Sequence, residues 1–199
     1  MTEQLRIWAG VQGFLSLAAL IALALFFALA TPFGVEQPRW SWLGPVNDWL
    51  AVFGAVPWVV AMILLSMRVR AGALLWSLTI VTCAGVLAIA VVTLLMLFGR
   101  ADLQAQSFVA VPATVVAFVW VAVAAAAMRA AAAIPPWVAI LAIALLLALA
   151  AGAAIIGIGY LVGSSSPIQF PLYVTGAVIG GLAWFAFPVW WLALASTAR

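Results

Sequence analysis

The sequence predicts an all-α, polytopic transmembrane helical bundle with about six spanning helices. Three observations carry that prediction. The chain is 70% hydrophobic, and only 6% of its 199 residues are charged. Its mean hydropathy is +1.37. The few charges fall between apolar runs, and a bilayer penalises a buried ion by several kcal/mol or so. The runs are also too continuous for the alternation of a membrane β-barrel, which leaves helices as the spanning structure.

A run of about 20 apolar residues crosses the hydrocarbon core. Six such runs divide a single integral membrane domain over 1–199, at about 7–30, 49–67, 72–98, 108–128, 136–162 and 172–195. The third is long enough to tilt. In the first, Ala28-Leu29-Ala30 mimics a signal-peptidase site. The apolar stretch before it is about twice the length of a signal-peptide core, so it is read as an uncleaved helix.

Arg distribution predicts the orientation. With a cytoplasmic N-terminus, Arg6, Arg68, Arg70, Arg129 and Arg199 lie inside, and only Arg39 and Arg100 lie outside. Both termini are therefore expected in the cytoplasm. The basic groups are too dispersed for nucleic acid, which needs a clustered basic face.

The connections are short except for Thr31 to Asp48, which is expected as an outer loop. It holds Glu36, Arg39, Trp40, Trp42, Asn47 and Asp48. This loop is the best polar candidate, either as a lid or as a docking segment. Its simpler role is an interfacial belt, with indoles at headgroup level. Asn47 or Asp48 is expected to cap the second helix and Asp102 the fourth. Catalysis by Glu36 and Asp48 is the weaker alternative.

Several chemistries lose their usual residues. The chain has no His and no Lys. That removes the commonest metal ligand and the commonest catalytic base. Cys83 is the one cysteine and reads as a small buried hydrophobe. No intramembrane acid or base is evident, so ion-coupled transport lacks its usual groups. No catalytic residue, metal site or cofactor is expected.

Three tryptophans lie too deep for a belt. Trp58 is about 13 Å along its helix from Trp49, at 1.5 Å per residue. Trp120 and Trp184 are each about 18 Å from the starts of their spans. Each indole N–H wants an acceptor. Pro57 and Pro188 leave the carbonyls of Phe53 and Trp184 without their helical donors. Trp58, Trp120 and Trp184 are therefore candidates for an apolar ligand pocket, with interhelical packing as the plainer reading. Gln12 and Ser16 share a face of the first helix, as glue to a neighbour or as a ligand contact. Gly159, Gly163, Gly176 and Gly180 are candidates for close packing of the last two helices. An echo between Pro57-Trp58-Val59-Val60-Ala61 and Pro136-Trp137-Val138-Ala139 is attributed to chance in such a biased composition.

Two segments, Trp42-Leu43-Gly44-Pro45-Val46-Asn47-Asp48-Trp49 and Phe187-Pro188-Val189-Trp190-Trp191-Leu192, resemble small six-helix bacterial membrane proteins. The resemblance covers about a tenth of the chain. It implies a bacterial inner-membrane protein and carries no activity. The Trp-Pro-Pro-Gly-type motif of tryptophan-rich sensory proteins is missing.

The function expected is a multi-pass inner-membrane protein without catalytic chemistry. It would act through binding, envelope response or association with another membrane protein. The alternative is a carrier or receptor for an uncharged hydrophobic small molecule or lipid. A lipid-modifying enzyme using the outer carboxylates comes third. The expected partners are the bilayer, another membrane protein or a hydrophobic molecule.

Overall fold

The computed structural model describes residues 2–31, 35, 37–163 and 166–198. It holds six long helices: α1 (Thr2–Leu25), α2 (Leu43–Arg68), α3 (Ala73–Leu97), α4 (Leu103–Ala130), α5 (Pro136–Val162) and α6 (Gln169–Thr197). All six are long and apolar enough to cross a membrane. The shortest, 24 residues, spans about 36 Å at 1.5 Å per residue, against about 30 Å of hydrocarbon. The chain is a multi-pass membrane protein with an all-helical bundle.

Each helix packs on its neighbours in sequence, and α1 closes the ring against α6. The Arg6 Nε donates to the Ala195 carbonyl oxygen at 2.8 Å. That carbonyl lies in the last turn of α6, where a cation meets the negative end of the helix. The first and last turns of the bundle thus share one end, called here the termini end. Arg68, Arg70 and Arg129 belong to this end by alternation of the helices, and Arg39 and Arg100 to the opposite end. Arg199 lies outside the described residues.

α1 continues into a π-helical turn, Phe26–Ala30. After the described part of the connection comes a short 3-10 turn, Pro38–Trp40. α2 then starts at Leu43, six residues earlier than the hydropathy suggested. Asn47 and Asp48 therefore sit inside α2 rather than in a loop, and neither caps it. The reason is Pro45. In the first helical turn its missing N–H falls among donors that have no intrahelical partner anyway. Nothing there stops the helix from beginning upstream. Gly44 also lets the Phe26 ring approach, since a Cβ at that position would lie 3.2 Å from the ring.

Asp102 caps α4 as expected, accepting a hydrogen bond from the Ala105 backbone N–H at 2.7 Å. The close approach of α5 and α6 centres on a glycine that the sequence reading passed over. A Cβ on Gly152 would fall 2.6 Å from the Gly180 backbone nitrogen and 2.7 Å from the Gly176 carbonyl oxygen. Gly159 faces the Tyr173 ring, and Gly176 faces Gly152 and Ile156. Gly163 is corrected: it meets nothing within 4 Å and instead ends α5 with φ +77°, a conformation glycine adopts without strain.

The buried core is concentrated in the half nearest the termini. α4 buries Ala117, Trp120, Val121, Ala124 and Met128, and α6 buries Phe187, Trp190, Trp191 and Leu194. Leu5, Met62 and Leu65 complete it from α1 and α2. Toward the opposite end the helices hold a cavity between them.

Candidate ligand cavity

The cavity has a volume of about 710 Å³. All six helices contribute to its wall, from Leu15 and Leu20 on α1 to Trp184 on α6. That volume falls within the range of sites for drug-sized molecules. No charged side chain lines it among the described residues.

Of the three deep tryptophans, the structure brings two to this cavity. Trp58 and Trp184 line it, together with Phe187 and Pro188. Trp58 packs against Phe187 with ring centroids 5.1 Å apart, and Trp184 lies 6.3 Å from Phe187. These three rings form a floor facing the hollow half. Phe187 is the hub, since it also stacks on Phe118 at 5.2 Å and meets Trp191 edge-on at 6.2 Å. Aromatic pairs at such separations add about 0.5–1.5 kcal/mol each beyond area burial.

Trp120 does not line the cavity. It is fully buried behind the floor, stacked on Trp191 at 6.2 Å. Its indole N–H donates to Thr79 Oγ1 at 2.8 Å. Thr79 Oγ1 lies 2.7 Å from Ser66 Oγ and donates to the Leu75 carbonyl oxygen at 2.7 Å. With its one proton on that carbonyl, Thr79 accepts from both Trp120 and Ser66. The result is a buried polar knot joining α2, α3 and α4. Trp120 is thus part of the packed half, because a hydroxyl on α3 supplies its acceptor. The sequence reading singled out neither Ser66 nor Thr79.

Gln12 sits at the junction of α1, α2 and the cavity. It is 2% exposed and lines the cavity beside Ser16. Its amide Nε2 donates to Ser16 Oγ at 2.9 Å, so the pair is linked within α1 rather than to another helix. The Gln12 Oε1 is buried without a hydrogen-bond partner among the described residues, and so is the Trp58 Nε1. A Cβ on Gly54 would lie 3.6 Å from that Oε1. Gln12 thus presses against α2 one turn before Trp58. Leaving either polar atom unpaired in an apolar setting costs about 1–3 kcal/mol.

The expected outer-loop group divides. Asn47 lines the cavity from the first turns of α2. Its Nδ2 donates to Asp48 Oδ1 at 3.2 Å. Asp48 itself is not part of the lining. Arg39 lies over the Trp40 ring at 5.2 Å, and Trp42 is exposed. Trp49 stacks on Phe53 at 5.5 Å and meets Phe98 at 6.5 Å. These rings gather near the start of α2 and the end of α3, where an interfacial aromatic belt would lie. Glu36 lies outside the described residues, so the carboxylate pair it would form with Asp48 does too. No cluster of three His, Cys, Asp or Glu that could hold a metal occurs among the described residues.

Fold and site together define a six-helix membrane bundle with one packed half and one hollow half, whose cavity lining carries no charged side chain among the described residues. No protein-family model, curated protein or solved structure matches the chain.

Proposed function

We propose that this protein is a membrane receptor or binding protein for an uncharged, largely apolar small molecule, seated in the hollow half of the bundle. The observation that carries this reading is the 710 Å³ cavity floored by Trp58, Trp184 and Phe187. Its uncharged wall disfavours ionic ligands, which would lose their hydration without a counter-charge. The continuous aromatic packing from Phe187 to Trp120 favours a receptor over a carrier. A carrier would have to open that packing to reach the termini end. Association with another membrane protein is compatible with this role, the ligand then reporting to the partner.

The proposed location is a bacterial inner membrane with both termini cytoplasmic. The support is the excess of arginine at the termini end, which follows the positive-inside bias. Native mass spectrometry of gently purified protein tests the binding reading. A retained apolar molecule, displaced by excess of an uncharged hydrophobic competitor, is the expected result. Bare protein, with unchanged melting across a panel of such molecules, contradicts it.

A further inference from the structure

We infer that an acyl chain of a membrane lipid reaches the cavity sideways, along a groove on α5 and α6. This rests on the ligand-binding reading and names the class of its ligand and the way in.

The cavity continues into a second hollow of about 310 Å³. Leu149, Ala153, Gly181 and Trp184 line both. Beyond them the groove passes Ile156, Ala177 and Gly176, toward the end opposite the termini. No charged side chain lines it among the described residues.

α4 leaves this groove uncovered. The buried residues of α4 all lie from Thr114 onward. Past Leu145, α5 buries Gly152 and Gly159, and both face α6. Toward that end the two helices therefore bury no residue against each other. A Cβ on Gly157, one turn beyond Ala153, would meet nothing within 4 Å. Val111 and Ala153, on the two sides of the gap, are exposed and line the cavity.

Depth and shape select the guest. α6 has 29 residues, about 43 Å at 1.5 Å per residue, so a centred helix overhangs about 30 Å of hydrocarbon by about 7 Å at each end. Gly176 then lies about 4 Å inside the hydrocarbon and Trp184 about 16 Å. Groove and cavity floor together span the depth of one leaflet, about 15 Å. That is the course of one acyl chain whose headgroup stays at the surface. A gap at this depth opens on lipid tails, which bars polar solutes and admits chains.

The full chain is placed in phosphatidylcholine nanodiscs containing a phosphatidylcholine with a diazirine at the end of one acyl chain. After photolysis, peptide mapping compares Leu20 and Trp58 in the cavity with Leu161 on the exposed surface. Octylbenzene binding is titrated in parallel by tryptophan fluorescence. The wild type is expected to carry label at Leu20 and Trp58. Ala177→Phe fills the groove at an exposed position that does not line the cavity. It should cut the interior label about fivefold or more relative to Leu161, and leave octylbenzene affinity within about twofold. Val178→Phe, at the exposed neighbouring position, should change neither. Ala177→Leu serves if the phenylalanine variant does not fold. Interior label that survives Ala177→Phe, or that falls equally with Val178→Phe, overturns the groove route. No interior label in a wild type that binds octylbenzene overturns the acyl chain and leaves the apolar site standing. Failure to take up either probe overturns the inference together with the receptor reading beneath it.

Discussion

The two halves of the bundle are built from the same kinds of residue and differ in how they fill space. Near the termini, Trp120, Trp190, Trp191, Phe118 and Met128 interlock with almost no exposed surface. Toward the opposite end, Leu20, Ala51, Ala110 and Ala153 surround an open volume. The lesson is that residue size, rather than polarity, divides this protein. Large rings meet at the level of α6 residues 187–191, whereas alanines such as Ala51, Ala110 and Ala153 leave room between the helices of the other half. A bilayer adds no hydrophobic drive for helices to close that gap, because lipid tails are as apolar as the side chains. A void among helices persists there only where packing elsewhere holds the frame.

That division predicts unequal responses to mutation. The largest effect should come from Trp120→Ala, which removes a fully buried ring and its bond to Thr79. A loss of about 3–5 kcal/mol is expected, read by reversible unfolding in mixed micelles. The corresponding Trp184→Ala change, at a side chain 43% exposed, should cost about 1 kcal/mol or less. Equal losses at the two positions would erase the distinction between the halves.

Gly152→Val comes next. Its side chain would collide with the backbone of α6 at Gly176 and Gly180. Backbone atoms cannot step aside cheaply, so about 1–3 kcal/mol of destabilisation is expected. Gly163→Val, outside that contact, would act only through its φ of +77°. Thermal melting of the pair distinguishes close packing from backbone strain. If Gly152→Val melts with the wild type, the α5–α6 seam is not a close backbone contact.

Thr79→Val keeps the side-chain shape and deletes the hydroxyl that Trp120 and Ser66 share. A loss of about 1–2 kcal/mol is expected, the range of buried polar contacts between membrane helices. A double-mutant cycle with Trp120→Phe should show coupling of at least about 0.5 kcal/mol. Additive losses would remove the knot from the account.

The smallest stability effect belongs to Ala153→Leu, which adds bulk to the cavity wall. Melting should change by no more than about 0.5 kcal/mol, while octylbenzene affinity falls about tenfold or more as the volume shrinks. A strong destabilisation would mean that the site is packed rather than open.

How much of this was legible beforehand follows from particular residues. The six spans, the Asp102 cap and the shared face of Gln12 and Ser16 could be read, because length, capping chemistry and helical period are local. Trp58 and Trp120 could not be told apart. The core side of α4 reads Ala117, Val121, Ala124 and Met128, and its exposed side is equally apolar. Where lipid is the solvent, hydropathy carries no sign of helix rotation. The acceptor for Trp120 lies 41 residues away on another helix, which no local pattern encodes. Gly152 could have been found. It lies seven residues, about two turns, before Gly159, on the same face of α5. Hydropathy marks where apolar residues begin, whereas Pro45 lets α2 start earlier, so Asn47 and Asp48 lie in the helix rather than the loop.

The central claim is that the hollow half, and not the lipid-facing surface, holds an apolar ligand. Photolabelling with an octylbenzene analogue bearing a diazirine, followed by peptide mapping, tests it most directly. Labelling is predicted on α1, α2 and α6 around Leu20, Trp58 and Trp184. Excess octylbenzene should suppress it, and Ala153→Leu should weaken it. Labelling confined to lipid-facing positions such as Leu161 and Phe170, undiminished by the competitor, would contradict the account.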